Sequence, residues 1–175
     1  MAAATLSAAL LLALVGCTPP APVDPTPTPT SAFATEEEAF AAAEETYRAY
    51  VDALNQVDLS DPKTFEAVFE LTTGEANASD RKTLSGFHAD SVRVTGESVV
   101  TLLEPVTIDS GSSQAVLAAC VDVSAVDLKD SEGNSIVSSE RPDMQITAIT
   151  LERVAESQHG FLISDIAGRE DGPPC

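Results

Sequence analysis

The spacing of apolar residues changes once along this chain, and that change restricts the fold more than any motif in it. Before residue 90 the apolar positions recur at three- and four-residue steps; from residue 92 onward they alternate. Thr35 and Glu38 have the spacing of a capping box, and Glu36-Glu37-Glu38 puts negative charge where a helix N-terminus favours it. Phe40, Ala43, Tyr47, Tyr50, Val51 and Leu54 then follow the helical period, which predicts an amphipathic helix over 36–55. Asp61-Pro62 supplies an N-cap and a first-turn proline for a second helix, with Phe65, Val68 and Phe69 inside and Gly74 as its C-terminal cap. A third, short helix is expected over 76–85, closed by Gly86.

The strand region begins with Val92 and Val94 alternating against Ser91, Arg93 and Thr95. Gly96 marks a bulge before a run at 99–103, and 109–112 reads as a turn. A long strand is expected over 114–126. Ala115, Leu117, Ala119, Val121 and Val123 share one face of it; Val116, Ala118, Cys120 and Asp122 share the other. After a polar loop at 130–134, two more strands are expected at 144–154 and 161–166, joined through Gln158-His159-Gly160. Helices first, then about four strands with no βαβ alternation, imply an α+β fold with helices on one face of an antiparallel sheet.

The C-terminal half carries a likeness. A long strand with Cys120, the loop at 130–134, Arg141-Pro142-Asp143 and then Leu162-Ile163-Ser164-Asp165-Ile166 resemble actinobacterial lipoproteins with the cone-shaped domain of the nuclear transport factor two-like superfamily. The resemblance spans about 33–175 and implies a curved sheet wrapped around the long first helix. It also implies a cone interior, which the superfamily's isomerases and dehydratases use as an apolar pocket with Asp, His or Tyr as acid or base. The chain departs from a full member, because the strand pair often found between the early helices is not evident. No motif carries a catalytic residue across.

The first residues read as an address. An uncharged stretch from Met1 contains a nearly all-apolar run at 8–15, too short for the roughly 20 residues of a membrane-spanning helix and right for a signal peptide. It ends in Leu14-Val15-Gly16-Cys17, which resembles the bacterial lipobox. In that reading 1–16 is a lipoprotein signal peptide, the Cys17 thiol forms a thioether to diacylglycerol, and small Gly16 gives the peptidase room. The basic n-region is missing, since no Lys or Arg precedes Arg48; a start codon assigned too late would account for that. Residues 18–31, six of them proline, follow as an extended spacer reaching some ~40 Å. The divisions are therefore a signal peptide (1–16), a lipidated Cys with a Pro/Thr-rich linker (17–31) and an α+β domain (32–175).

Charge narrows the partners. Acidic residues outnumber basic ones 28 to 9, for a formal net charge of −19. With no Lys/Arg cluster, a nucleic-acid partner is excluded. The same charge repels anionic headgroups, so lipid on Cys17, with its acyl chains (palmitate among them), must hold the protein to the extracytoplasmic side of the cell membrane.

Once Cys17 is set aside, Cys120 and Cys175 read as a disulfide in an exported domain, the alternative being a buried thiol and a free one. No cofactor or metal site is expected: two cysteines do not complete a zinc shell, and Asp127, Asp130, Glu132 and Asn134 do not have calcium-loop spacing. His88 and Asp90, at the expected entry to the first strand, are the weak catalytic candidates; a polar strand entry is the plainer account. His159 is expected to face solvent in a hairpin turn, and Tyr47 and Tyr50 to be core or to line a cavity mouth. Two functions follow. One is a tethered, non-catalytic domain binding a protein or a small ligand; the alternative is an isomerase- or dehydratase-type enzyme using the cone pocket.

Overall fold

In the computed structural model the described residues are 33–108, 111 and 113–175. The expected signal peptide, Cys17 and the linker lie outside them, as does most of the turn at 109–112. Helix α1 (Glu36–Asn55) starts where Thr35 Oγ1 accepts the Glu38 N–H at 3.1 Å. Glu38 reaches back to the Ala34 N–H at 2.8 Å, one residue earlier than in a regular capping box. The helix buries Ala39, Ala43, Thr46, Tyr47, Tyr50, Val51 and Ala53 along one stripe, which the 3.6-residue period requires.

After α1, a 3-10 turn capped by Asp61 (Pro62–Phe65) runs into a single α-helical turn, α2 (Glu66–Phe69). Phe65, Val68 and Phe69 are buried, as their spacing implied. Gly74 does not end this element. It opens α3 (Gly74–Ala89) with φ +52°, a left-handed value that any side chain would strain. Nor does Gly86 close the third helix: nothing lies within 4 Å of where its Cβ would sit, and the helix runs through it. Partly buried Phe87, packed against the core, extends the buried stripe past the glycine, at the expense of its modest propensity cost. The chain turns out of the helix at Ser91, whose φ is +56°.

The main sheet has strand order β2-β3-β5-β6, all neighbours antiparallel: β2 (Val99–Thr107), β3 (Gln114–Asp122), β5 (Met144–Arg153) and β6 (Phe161–Gly168). Register breaks at Val100/Leu102 and Pro105/Thr107 in β2, and at Ser164 of β6 opposite Thr150/Leu151, are the irregularities that bend strands and increase their twist. The three helices pack on one face of this sheet, giving the expected α+β cone. Their apolar stripes meet Leu117, Ile149, Leu151, Phe161 and Ile163 in one core. The open edge of β6 is covered by the α2–α3 connection: Thr73 N–H donates to Ile163 O at 2.8 Å and Ile163 N–H to Leu71 O at 3.0 Å.

Two features differ from the expected four strands. The first expected strand is split: β1 (Arg93–Thr95) leaves the main sheet and pairs with β4 (Asp127–Lys129) in a separate two-stranded ribbon. The second expected strand correspondingly stops at Asp122. Gly96 makes the split possible. At φ +79° it passes so close to the Ala125 backbone that a Cβ would overlap the carbonyl. The second feature is the outer face of β3. Ala118 and Cys120 are as buried as their inward neighbours because the C-terminal tail covers them. Cys120 and Cys175 form a disulfide with Cα atoms 5.7 Å apart. Arg169 organises the tail: Nε donates to Thr147 O, and the guanidinium donates to Asp171 O and Pro173 O.

Candidate functional site

The β1–β4 ribbon stands off from the helices instead of packing flat on them, and the space between is a partly open cavity of about 880 Å³. That is within the roughly 300–1,000 Å³ of small-molecule sites. Its walls come from four places. The C-terminal half of α1 contributes Tyr50 and Leu54, α3 contributes Asp80, Leu84 and Phe87, the ribbon contributes Val94 and Leu128, and residues 96–98 close one end. The wall at 96–98 is held by one side chain. Asn55 Nδ2 donates to Ser98 O at 2.9 Å while Ser98 N–H donates to Asn55 Oδ1 at 2.8 Å. Both polar groups of Ser98's backbone are thus satisfied from α1, where no strand ladder serves them.

The lining is mixed: Asn55, Thr83, Thr95, Glu97 and Ser98 also face the cavity, and Tyr50 and Asp80 form a hydrogen-bonded pair in it. The Tyr50 hydroxyl donates to Asp80 Oδ1 at 3.1 Å. Burial pushes the Asp80 carboxyl above its usual range, an effect the Tyr50 hydrogen bond partly offsets. Burial likewise pushes the Tyr50 phenol up, and the neighbouring Asp80 charge adds to the shift. Asp80 Oδ2 is shielded from solvent and accepts no hydrogen bond from any described residue. Tyr47 stacks beside Tyr50 with ring centroids 6.1 Å apart, but it is 3% exposed and does not line the cavity. Of the two tyrosines, then, Tyr50 reaches the cavity and Tyr47 is core.

The weak candidates His88 and Asp90 lie elsewhere. Both sit at the C-terminal end of α3, not at a strand entry, and both are exposed. His88 Nδ1 lies 2.7 Å from Leu59 O, with its ring edge-on to Phe65. Asp90 is the helix C-cap, its backbone N–H donating to Gly86 O and His88 O. The pair fastens a helix end, because α3 continues four residues beyond the expected stop. His159 is also placed differently from the expectation of a solvent-facing turn. Its side chain is only 10% exposed and lies 3.5 Å from Glu45 on α1. It borders a second groove of about 630 Å³ whose lining mixes Lys63, Glu70, Glu156 and Gln158. Such opposed charges define no ligand class.

The remaining acidic loop satisfies itself. Asp130 Oδ1 accepts from the backbone of Glu132 and Asn134, each at 2.9 Å, which holds its carboxyl below the usual range. Asp127 accepts the Ser135 hydroxyl at 2.6 Å. Asp122 caps the following turn through the Ser124 N–H at 2.8 Å. Asn77, in a sequence with glycosylation spacing, is committed to Phe69 O and Thr72 Oγ1. Among the described residues no group of three or more His, Cys, Asp or Glu is arranged to hold a metal ion.

No family model matches the chain, and no curated protein sequence matches it. Three solved structures are similar in chain path. One is a proposed aromatic ring hydroxylase from Novosphingobium aromaticivorans, with 13% identity over 76% of this chain and 94% of its own, at a TM-score of 0.49. Another, from Catenulispora acidiphila in complex with S-DNPA, has 13% identity over 73% and 90%, at 0.46. The third, a TrwG component of a type IV secretion system from Bartonella birtlesii, has 15% identity over 77% and 94%, at 0.44. At these values none of them assigns a ligand or a reaction to this chain.

Proposed function

We propose that this chain is an extracytoplasmic lipoprotein, anchored through a diacylglyceryl group on Cys17, whose α+β domain binds a small, mainly apolar molecule between α1, α3 and the β1–β4 ribbon. The observation that carries the binding reading is the cavity itself: about 880 Å³, walled by Leu54, Leu84, Phe87, Val94 and Leu128, with Tyr50 and Asp80 as its polar contact. A partly open cleft of this size, with apolar side chains and a few convergent polar groups, has the form of a small-molecule site. The anchor rests on the sequence at 8–17 and on the charge of −19, which leaves lipid as the available source of membrane affinity.

The binding reading is tested with the uncharged fluorophore N-phenyl-1-naphthylamine. The purified protein should bind it saturably, with a rise in emission. Leu84→Trp, which fills the cavity from α3, should weaken binding at least about tenfold, the change of roughly 1.4 kcal/mol expected when a ligand loses its space. Unsaturable emission, or equal binding by the Trp variant, would sink the reading.

The enzyme alternative, an isomerase or dehydratase, is supported by one observation. Asp80 is a carboxyl with raised proton affinity beside a phenol in an apolar cavity, the environment in which a general base is tuned. The two readings separate on the fate of the ligand. A molecule recovered chemically unchanged after long incubation with equimolar protein supports binding. Conversion that disappears in Asp80→Asn supports the enzyme.

A further inference from the structure

The charges around the cavity name a class of ligand more closely than its volume does. This step rests on the cavity being a binding site, as proposed above. Besides Tyr50, the ionisable residues among its described lining are Asp80 and Glu97; none is Lys, Arg or His. An anionic ligand entering here would meet two carboxyl groups and no compensating cation, and would lose its water in doing so.

Asp80 is also incompletely partnered. Tyr50 occupies Oδ1, whereas Oδ2 has no described donor although it is shielded from water. The nearest basic residue in sequence is engaged elsewhere. Arg81 holds its guanidinium 4.0 Å above the Phe69 ring and donates from Nε to Asn77 Oδ1 at 2.8 Å. No ion pair reaches Asp80 from any described residue. A half-buried carboxylate with an unused oxygen costs free energy that a positively charged donor would recover. The terminal torsion of Asp is soft, so the carboxylate can turn Oδ2 to the cavity, exchanging the Tyr50 hydrogen bond at Oδ1 for a charge-assisted one from the ammonium.

Two further features act in the same direction. The aromatic residues Tyr50 and Phe87 line the same cavity, and aromatic rings attract cations. The net charge of −19 raises the local concentration of cations around the whole domain and lowers that of anions.

We propose that the cavity selects amphiphilic cations, molecules with an apolar body and one protonated amine, with the ammonium paired to the Asp80 carboxylate and the body against Leu54, Leu84 and Val94.

Three probes with one body test this: 4-phenylbutylamine, 4-phenylbutan-1-ol and 4-phenylbutanoate, each titrated against the full chain by calorimetry and by displacement of N-phenyl-1-naphthylamine. The amine should bind at least about tenfold tighter than the alcohol, as a charge-assisted hydrogen bond gives, and the carboxylate should bind weakest. In Asp80→Asn the ratio of amine to alcohol affinity should fall to about one, which separates pairing at Asp80 from diffuse attraction by the acidic surface. Alcohol and amine binding equally to the unaltered protein would overturn cation selection while leaving the cavity as a binding site. An amine preference that survives in Asp80→Asn would overturn the assignment to Asp80. Failure of all three to displace the fluorophore would overturn the binding reading as well.

Discussion

At the scale of single residues, this protein's polar chemistry is mostly used to hold backbone in place. Arg169 is the fullest example: it sits 3.8 Å and 3.9 Å from the sulfurs of Cys120 and Cys175 and donates to three carbonyls around them. Arg141 does the same just past the C-terminal end of β3, with Nη2 donating to Val123 O and Val126 O at 2.8 Å each. The tail depends on the covalent link as well. Opening the Cys120–Cys175 loop of 55 residues by Cys175→Ser should cost about 2–4 kcal/mol, read as a lower urea midpoint. A loss below about 1 kcal/mol would mean that Arg169 and the packing on Ala118 hold the tail without the bond. The two half-cystines were legible in the sequence because the lipoprotein reading, with Cys17 set aside for lipid, leaves two cysteines for a domain outside the cell. Asp80 was not. It stands in the polar stretch Asn77-Ala78-Ser79-Asp80-Arg81-Lys82, and nothing local distinguishes it from a solvated helix residue. Only the crossing of α3 over α1 brings it to Tyr50, 30 positions earlier.

At the scale of elements, period was a good guide and punctuation a poor one. Helix α1 falls on 36–55 as its spacing required, since seven buried positions on one stripe outweigh local preferences. Gly74 and Gly86, both taken as helix ends, are a helix start and a helix interior. Glycine permits a stop without enforcing one, and burial of Leu84 with Phe87 behind it carried α3 onward. The β4 strand was illegible because three half-buried residues show no period. It exists because β1, turned away by Gly96, offers it an edge. The connection that follows Gly96 relies on Asn55. Asn55→Ala should cost about 1–3 kcal/mol, because the Ser98 N–H and C=O would lose their partners in a half-buried loop. It should also weaken fluorophore binding, since residues 96–98 form one wall of the cavity. Chemical denaturation and the fluorescence titration check the two effects separately. Unchanged stability would mean that water replaces the amide without loss.

At the scale of the whole molecule, net charge bears on the anchor proposed at Cys17. With 28 acidic residues against 9 basic, the chain is repelled by any anionic bilayer. Among the described residues no helix is long and apolar enough to cross a membrane. If lipid on Cys17 is the anchor, Cys17→Ser should move most of the protein from the membrane to the soluble fraction of fractionated cells, and continued retention would overturn the lipoprotein reading. The sequence by itself determined the α+β class, the long first helix and the order of the main strands, because hydrophobic period is a local property of the chain. The tertiary structure alone decided that the first strand region divides at Gly96 and that the resulting ribbon stands away from the helices. It also decided that Tyr50 meets Asp80 in the space this leaves. A cavity is the difference between surfaces from distant segments, and no single segment encodes it.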